Sequence, residues 1–127
     1  GYLEDTITSY ERVFLANPHY SSWVKYMYAY ALTENKDYEK AKEFCTEQLK
    51  QKHNWSGVEK TLYIVLAYIH KKQGSENLAK EMFEMQRKED GKGMSAQQIY
   101  KGFISKKDKS FLNDIVETLK PFGLPDK

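Results

Sequence analysis

Apolar and polar positions recur at helical spacing along almost the whole chain. Over residues 5–16, Ile7, Tyr10, Val13 and Phe14 fall at the three- and four-residue steps of an amphipathic helix. Pro18, in "NPHYSS", stops that helix, because proline has no N–H to donate and restricts the residue before it. Ser21 or Ser22 can cap a second helix, accepting a bond from a free backbone N–H, and this helix runs to about residue 33. "TENKD" turns the chain, with Asp37 as the next cap. The third helix, to about residue 52, puts Tyr38, Ala41, Cys45, Gln48 and Leu49 on one side. Its other side carries charge, with Glu39–Lys42 and Glu47–Lys50 at pairing distance along the helix. "KHNWSG" reads as a loop, after which Ser56 caps a fourth helix that lasts until Gly74, a left-handed stop. Ser75 opens a fifth, with Leu78, Ala79, Met82, Phe83 and Met85 on the apolar side. "KEDGKG" is a flexible-looking connector, and "SAQQ" is a capping box, Ser95 at the cap and Gln98 three residues on. The sixth helix carries Ile99, Tyr100, Phe103 and Ile104. Asp108 caps the seventh, which carries Phe111, Leu112, Ile115, Val116 and Leu119 until Pro121 ends it.

Two of these helices break the amphipathic rule. In "SSWVKYMYAYAL" only Lys25 is plainly polar after the serines, and the fourth helix contains the apolar run "LYIVLAYI". Neither approaches the roughly 20 residues a membrane span needs. A short helix that is apolar on nearly every side must have neighbours on several sides. Short connections between successive helices predict antiparallel neighbours. The helices containing Ala41 and Ala79 each follow an apolar helix and a polar turn, 38 residues apart. Helix pairs repeating at that period are the signature of an α-solenoid of the TPR kind. The expected fold is therefore all-α, antiparallel helix pairs stacked in one domain over residues 1–127. Gly1 in place of an initiator Met reads as a piece of a longer protein.

Composition narrows this further. Of 127 residues, seven are Gly and three Pro, too few for the turns of a β-sandwich. The net charge of +2 does not demand nucleic acid or an acidic membrane. A single cysteine, Cys45, excludes an internal disulfide and favours a reducing compartment. No signal peptide opens the chain.

Candidate chemistry is sparse. His19, His53 and His70 are not at metal-ligand spacing, and no nucleophile elbow or phosphate-cradling glycine loop occurs. Cys45 lies on an apolar helix side, where a small core residue is the simpler reading than a nucleophile. Glu39, Glu43 and Glu47 fit a solvated face. The expectation is a non-enzyme with no cofactor and no metal. Lys101, Lys106, Lys107 and Lys109, near Tyr100 and Phe103, form a candidate RNA contact. Lys50, Lys52 and His53, near Trp55, form another. Ten tyrosines are many for this length. Tyr26, Tyr28 and Tyr30 share one helix and cannot all point the same way. Of these, Tyr28 is the candidate for lining a partner-binding groove.

One resemblance is specific enough to state. "SYERVFLANPHYSSWVKYMYAYAL" followed by "DYEKAKEFCTEQLKQK" resembles a half-a-TPR (HAT) repeat, with Trp23 and Tyr26 in the first helix and the small Ala41 in the second. The order Tyr10-Glu11-Arg12, Asn17-Pro18, Ser21-Ser22, Trp23, Tyr26-Met27, Glu39-Lys40-Ala41-Lys42, Leu49, Glu59-Lys60, Ala67-Tyr68 and Gly74 is similar to the C-terminal HAT region of the ribosomal RNA processing protein five family. The likeness covers about residues 10–83. It implies a nucleolar scaffold of early ribosome assembly and pre-rRNA processing, acting through protein partners beside pre-rRNA. It also implies structural roles for Trp23, Tyr26, Ala41 and Ala79. HAT/TPR adaptors of mRNA splicing, polyadenylation or mitotic checkpoint complexes are the alternative, and direct RNA binding through the lysine clusters is a third reading.

Overall fold

The computed structural model describes residues 1–17, 22–51, 56–88, 91–103 and 106–127. For Ser22, Trp23 and Ser56 it describes the helical backbone alone. The described residues form α1 (Tyr2–Ala16), α2 (Ser22–Glu34), α3 (Tyr38–Leu49), α4 (Ser56–Lys72), α5 (Glu76–Met85), α6 (Ala96–Lys101) and α7 (Ser110–Leu119), with a 3₁₀ turn over Lys120–Phe122 and no strand.

The two helices without a polar face are the centre of the molecule. α2 packs on α1, α3 and α4, and α4 packs on α2, α3, α5 and α7. With partners on so many sides, Ala29 and Leu32 of α2 and Leu62, Ile64, Val65, Ala67 and Ile69 of α4 are wholly buried. Lys25, the polar exception in α2, is itself only 6% exposed, and burial lowers its pKa.

α2–α3 and α4–α5 are joined by the same turn, 38 residues apart. In the first, the N–H groups of Lys36 and Asp37 donate to Thr33 and Leu32 carbonyls; in the second, those of Gly74 and Ser75 donate to Lys71 and His70. This is the Schellman closure of a helix end, which needs a left-handed residue. Gly74 supplies it with φ 81°, and Lys36 adopts it with φ 63°. One turn into each second helix, Ala41 and Ala79 bond back to the Asp37 and Ser75 carbonyls and are fully buried.

Several expected boundaries shift. α3 ends at Leu49 rather than near residue 52. Asp37 and Ser75 occupy the cap positions without side-chain cap bonds, and Asn35 donates to the Asp37 carboxylate instead. Leu78, placed by spacing on the apolar side, is 46% exposed at the edge of α5. Ser95 and Gln98 form the expected capping box. α6, however, stops after six residues at Gly102, and Phe103 lies beyond it. Asp108 accepts from the backbone N–H and hydroxyl of Ser110, but the cap position itself is Lys109. Pro121 does not stop the chain's coil at once, because it fits inside the 3₁₀ turn, near the start of which a missing N–H costs nothing.

The third pair departs from the first two. The helix laid against α4 is α7, whose Leu112, Ile115, Val116 and Leu119 are buried. Tyr68 donates to Asp114, and Lys72 pairs with the same carboxylate at 2.9 Å. Burial alone would raise the Asp114 pKa. The bonds from Tyr68 and Lys72 outweigh it and hold the carboxyl below its ordinary range.

Candidate functional site

Tyr26 and Tyr30 lie one turn apart on α2 and therefore point the same way. Phe103, released from the short α6, meets both rings edge to face, with centroids 6.1 and 4.7 Å away. Phe111, at the start of α7, meets Tyr30 at 6.2 Å and Tyr68 at 5.8 Å. These are the edge-to-face geometries aromatic quadrupoles prefer.

This aromatic row separates two hollows. The larger, about 620 Å³, lies between α1, α2 and the segment leading into α7. Tyr10, Met27, Tyr30, Phe103 and Phe111 line it, and Tyr2, 89% exposed, stands at its side. The smaller, about 380 Å³, lies between α2, α4 and α6, over Tyr26, Thr61, Met94 and Ile99. Tyr30 and Phe103 line both, so the hollows adjoin as the two halves of a divided cleft. Each volume falls within the roughly 300–1,000 Å³ of ordinary ligand clefts.

The charges around the cleft are unequal. In the smaller hollow the charged lining residues among those described are Lys60 and Lys101. In the larger, Lys106 and Glu34 pair at 3.0 Å and cancel. Asp108 is held below the usual carboxylate range by its bonds from Ser110. Lys107 is exposed beside it. In the larger hollow the lining charges are therefore matched, Lys106 and Lys107 against Glu34 and Asp108.

The residues singled out by sequence are distributed unevenly about this site. Tyr26 lines it. Tyr28 does not: it is 5% exposed, packs on Phe14 and Phe44, and donates to Glu11 at 2.8 Å. Burial, and after it that bond, push its hydroxyl pKa up. Tyr28 is thus a core residue tying α1, α2 and α3, and Tyr30, two positions on, is equally buried at 3% exposure but backs both hollows. Ala41 and Ala79 are buried at the helix crossings, away from the cleft. The Trp23 side chain, residues 52 and 53, Trp55 and Ile104 lie outside the described residues. Of the four clustered lysines, Lys106 pairs with Glu34 and Lys109 donates to the Phe103 carbonyl at 2.6 Å. Lys101 and Lys107 remain exposed at the cleft. Lys50 is exposed and pairs with Glu47 at 3.0 Å.

Spacing alone could have nominated Tyr26 and Tyr30, which stand four apart. It gave no sign that Phe103 would leave its helix and fold onto them. Among the described residues, no three His, Cys, Asp or Glu side chains cluster as a metal site, and no helix is long and apolar enough to cross a membrane. Cys45 is fully buried, and burial pushes its thiol pKa to about 12.

No family model, no curated protein and no solved structure matches this chain.

Proposed function

We propose that this chain is a non-catalytic scaffold of HAT/TPR type that works by protein–protein contacts in early ribosome assembly and pre-rRNA processing. The observation that carries the repeat reading is the twin turn. Two helix pairs share their hydrogen bonds, their left-handed residue and their buried alanine at a 38-residue offset. Pairs that repeat so closely, with α4 wedged between α2, α3 and α5, are what stacking into a solenoid requires. A solenoid offers an extended surface, which suits assembly. The nucleolar assignment rests on the ordered motif from Tyr10 to Gly74.

A tagged pull-down from nucleolar extract, with and without ribonuclease, tests this reading. The expected result is early ribosome-assembly proteins that survive ribonuclease. Splicing, polyadenylation or kinetochore proteins in their place would keep the scaffold and overturn the pathway. Loss of every partner on ribonuclease treatment would move the function to RNA.

A further inference from the structure

We infer that the outward face of α1 is the contact of a weak antiparallel homodimer, its occupant being α1 of a second copy of this chain. The inference is independent of the protein partners proposed above.

α1 packs chiefly on α2, with Ile7, Tyr10 and Phe14 turned to the core. Away from them, Tyr2, Asp5, Ser9, Arg12 and Ala16 recur at alternating steps of three and four residues and form one exposed stripe. Tyr2 is 89% exposed, and Leu15, at the rim of the stripe, is 87% exposed. No other large apolar side chain among the described residues is as open to water.

The middle of the stripe is small and already satisfied. The hydroxyls of Thr8 and Ser9 donate to the Glu4 and Asp5 carbonyls of their own helix, each at 3.0 Å. Covering them with another helix leaves no hydroxyl proton without an acceptor. Their size also lets two helix backbones approach closely at this point.

The charges choose the occupant. Asp5 and Arg12 stand at equal distances on either side of the midpoint between Thr8 and Ser9. Both are exposed, and neither side chain has an ion pair among the described residues. The nearby Gly1 ammonium pairs with Glu4 at 3.0 Å, and Glu11, next to Arg12, is taken by Lys40 and Tyr28. A two-fold axis at that midpoint turns a second α1 antiparallel. Each Asp5 then lies beside Arg12 of the other copy, and each Tyr2 beside its Ala16. A parallel copy would set Asp5 on Asp5 and Arg12 on Arg12. A foreign helix of one charge sign would match only half the stripe.

The contact is small. α1 has 15 residues and is about 22 Å long, so one helix a side stays below the roughly 1,200 Å² of standard interfaces. The dissociation constant is therefore expected on the order of 10–100 µM.

Sedimentation equilibrium of the full chain, from about 5 to about 500 µM, brackets that constant and tests the proposal. The parent should pass from monomer to dimer across the range. D5R and R12D, each changed at one exposed position, bring like charges together and should each dimerise at least about tenfold more weakly. An equimolar mixture of D5R and R12D restores both pairs and should form a one-to-one heterodimer. The D5R/R12D double variant, with its charges exchanged, should dimerise as the parent does. Circular dichroism confirms that the variants fold. A parent that stays monomeric throughout overturns the proposal. So do single variants that dimerise as the parent does, or a mixture and a double variant that both stay monomeric.

Discussion

Lys36 and Gly74 hold the same left-handed position in two turns with the same hydrogen bonds, one of them with a side chain that resists it. A non-glycine residue in that conformation costs about 1–2 kcal/mol, part of which glycine gives back through its freer unfolded chain. Lys36→Gly should therefore stabilise the protein by about 0.5 kcal/mol. Gly74→Ala should destabilise it by about 1 kcal/mol. At Gly74 an added Cβ meets nothing within 4 Å, so the loss would be conformational and not steric. Urea unfolding of both variants measures this. Changes of opposite sign with unchanged m-values would place the effect in the turns, whereas a destabilised Lys36→Gly would mean the lysine side chain supports its turn.

The alanines five residues further on set how closely the helices approach. Ala41 and Ala79 are fully buried in helices that cross α2 and α4. Ala41→Leu and Ala79→Leu should each cost about 1–3 kcal/mol by overpacking. Lys80→Leu, next to Ala79 but exposed, should stay within about 0.5 kcal/mol of the parent. Thermal unfolding separates the two cases, and a tolerated leucine at either alanine would show that the crossing has room.

The twin turns also show how far sequence reaches. Gly74, the polar turns, and Ala41 and Ala79 at equal offset are local signals, and the paired helices could be read from them. The buried character of α2 and α4 was legible too, because no polar stripe was available to face water. The third pair was not. Its sixth helix has apolar residues through Phe103 at helical spacing, yet the helix stops at Lys101 and Phe103 packs on Tyr26 and Tyr30 instead. That packing is tertiary and leaves no trace in spacing. The same holds for Tyr28 and Tyr30. Spacing shows that they diverge, but which of them faces a cleft depends on where α1 and α7 lie.

Glu11 links acid stability to the α1–α2–α3 junction. The Lys40 ammonium and the Tyr28 hydroxyl both bond its carboxylate and hold its pKa below the ordinary 4.5. The folded state therefore releases this proton more readily than the unfolded state. The stabilisation is fully present above about pH 4.5 and is lost as pH falls through the lower folded value. Since the Glu11 side chain is 37% exposed, screening limits the contribution to less than about 1 kcal/mol. Glu11→Gln should be less stable than the parent at neutral pH by that amount, and the two unfolding curves should converge below pH 4.5. A constant difference down to pH 3 would assign the effect to packing.

Cys45 should be chemically silent in the native protein. It is fully buried, and with its thiol pKa near 12 almost no thiolate is present at pH 8. Ellman's reagent should leave the folded chain unmodified over minutes and react stoichiometrically in denaturant. Rapid native reaction would mean that α3 opens from the core on that timescale.

Arg87 holds the C-terminal segment against the rest of the molecule. Its guanidinium donates to the Gly123 carbonyl at 2.6 Å and lies over the Phe83 ring, which in turn packs on Phe122. Gly123 is required there twice over, because its φ is 101° and an added Cβ would come within 2.6 Å of the guanidinium. The segment beyond it reaches α6, where the Pro125 and Asp126 carbonyls accept from the Ala96 and Gln97 N–H groups. These are otherwise unpaired donors of a helix start. Arg87→Ala removes charged hydrogen bonds and a ring contact, and should cost about 1–3 kcal/mol. The loss should be local before it is global. Hydrogen exchange at the Ala96 and Gln97 amides should accelerate, while that of α4 core amides such as Val65 speeds only as far as overall stability falls. If protection at Ala96 and Gln97 follows Val65 in step, the tail is held by its other contacts and Arg87 is not the clamp.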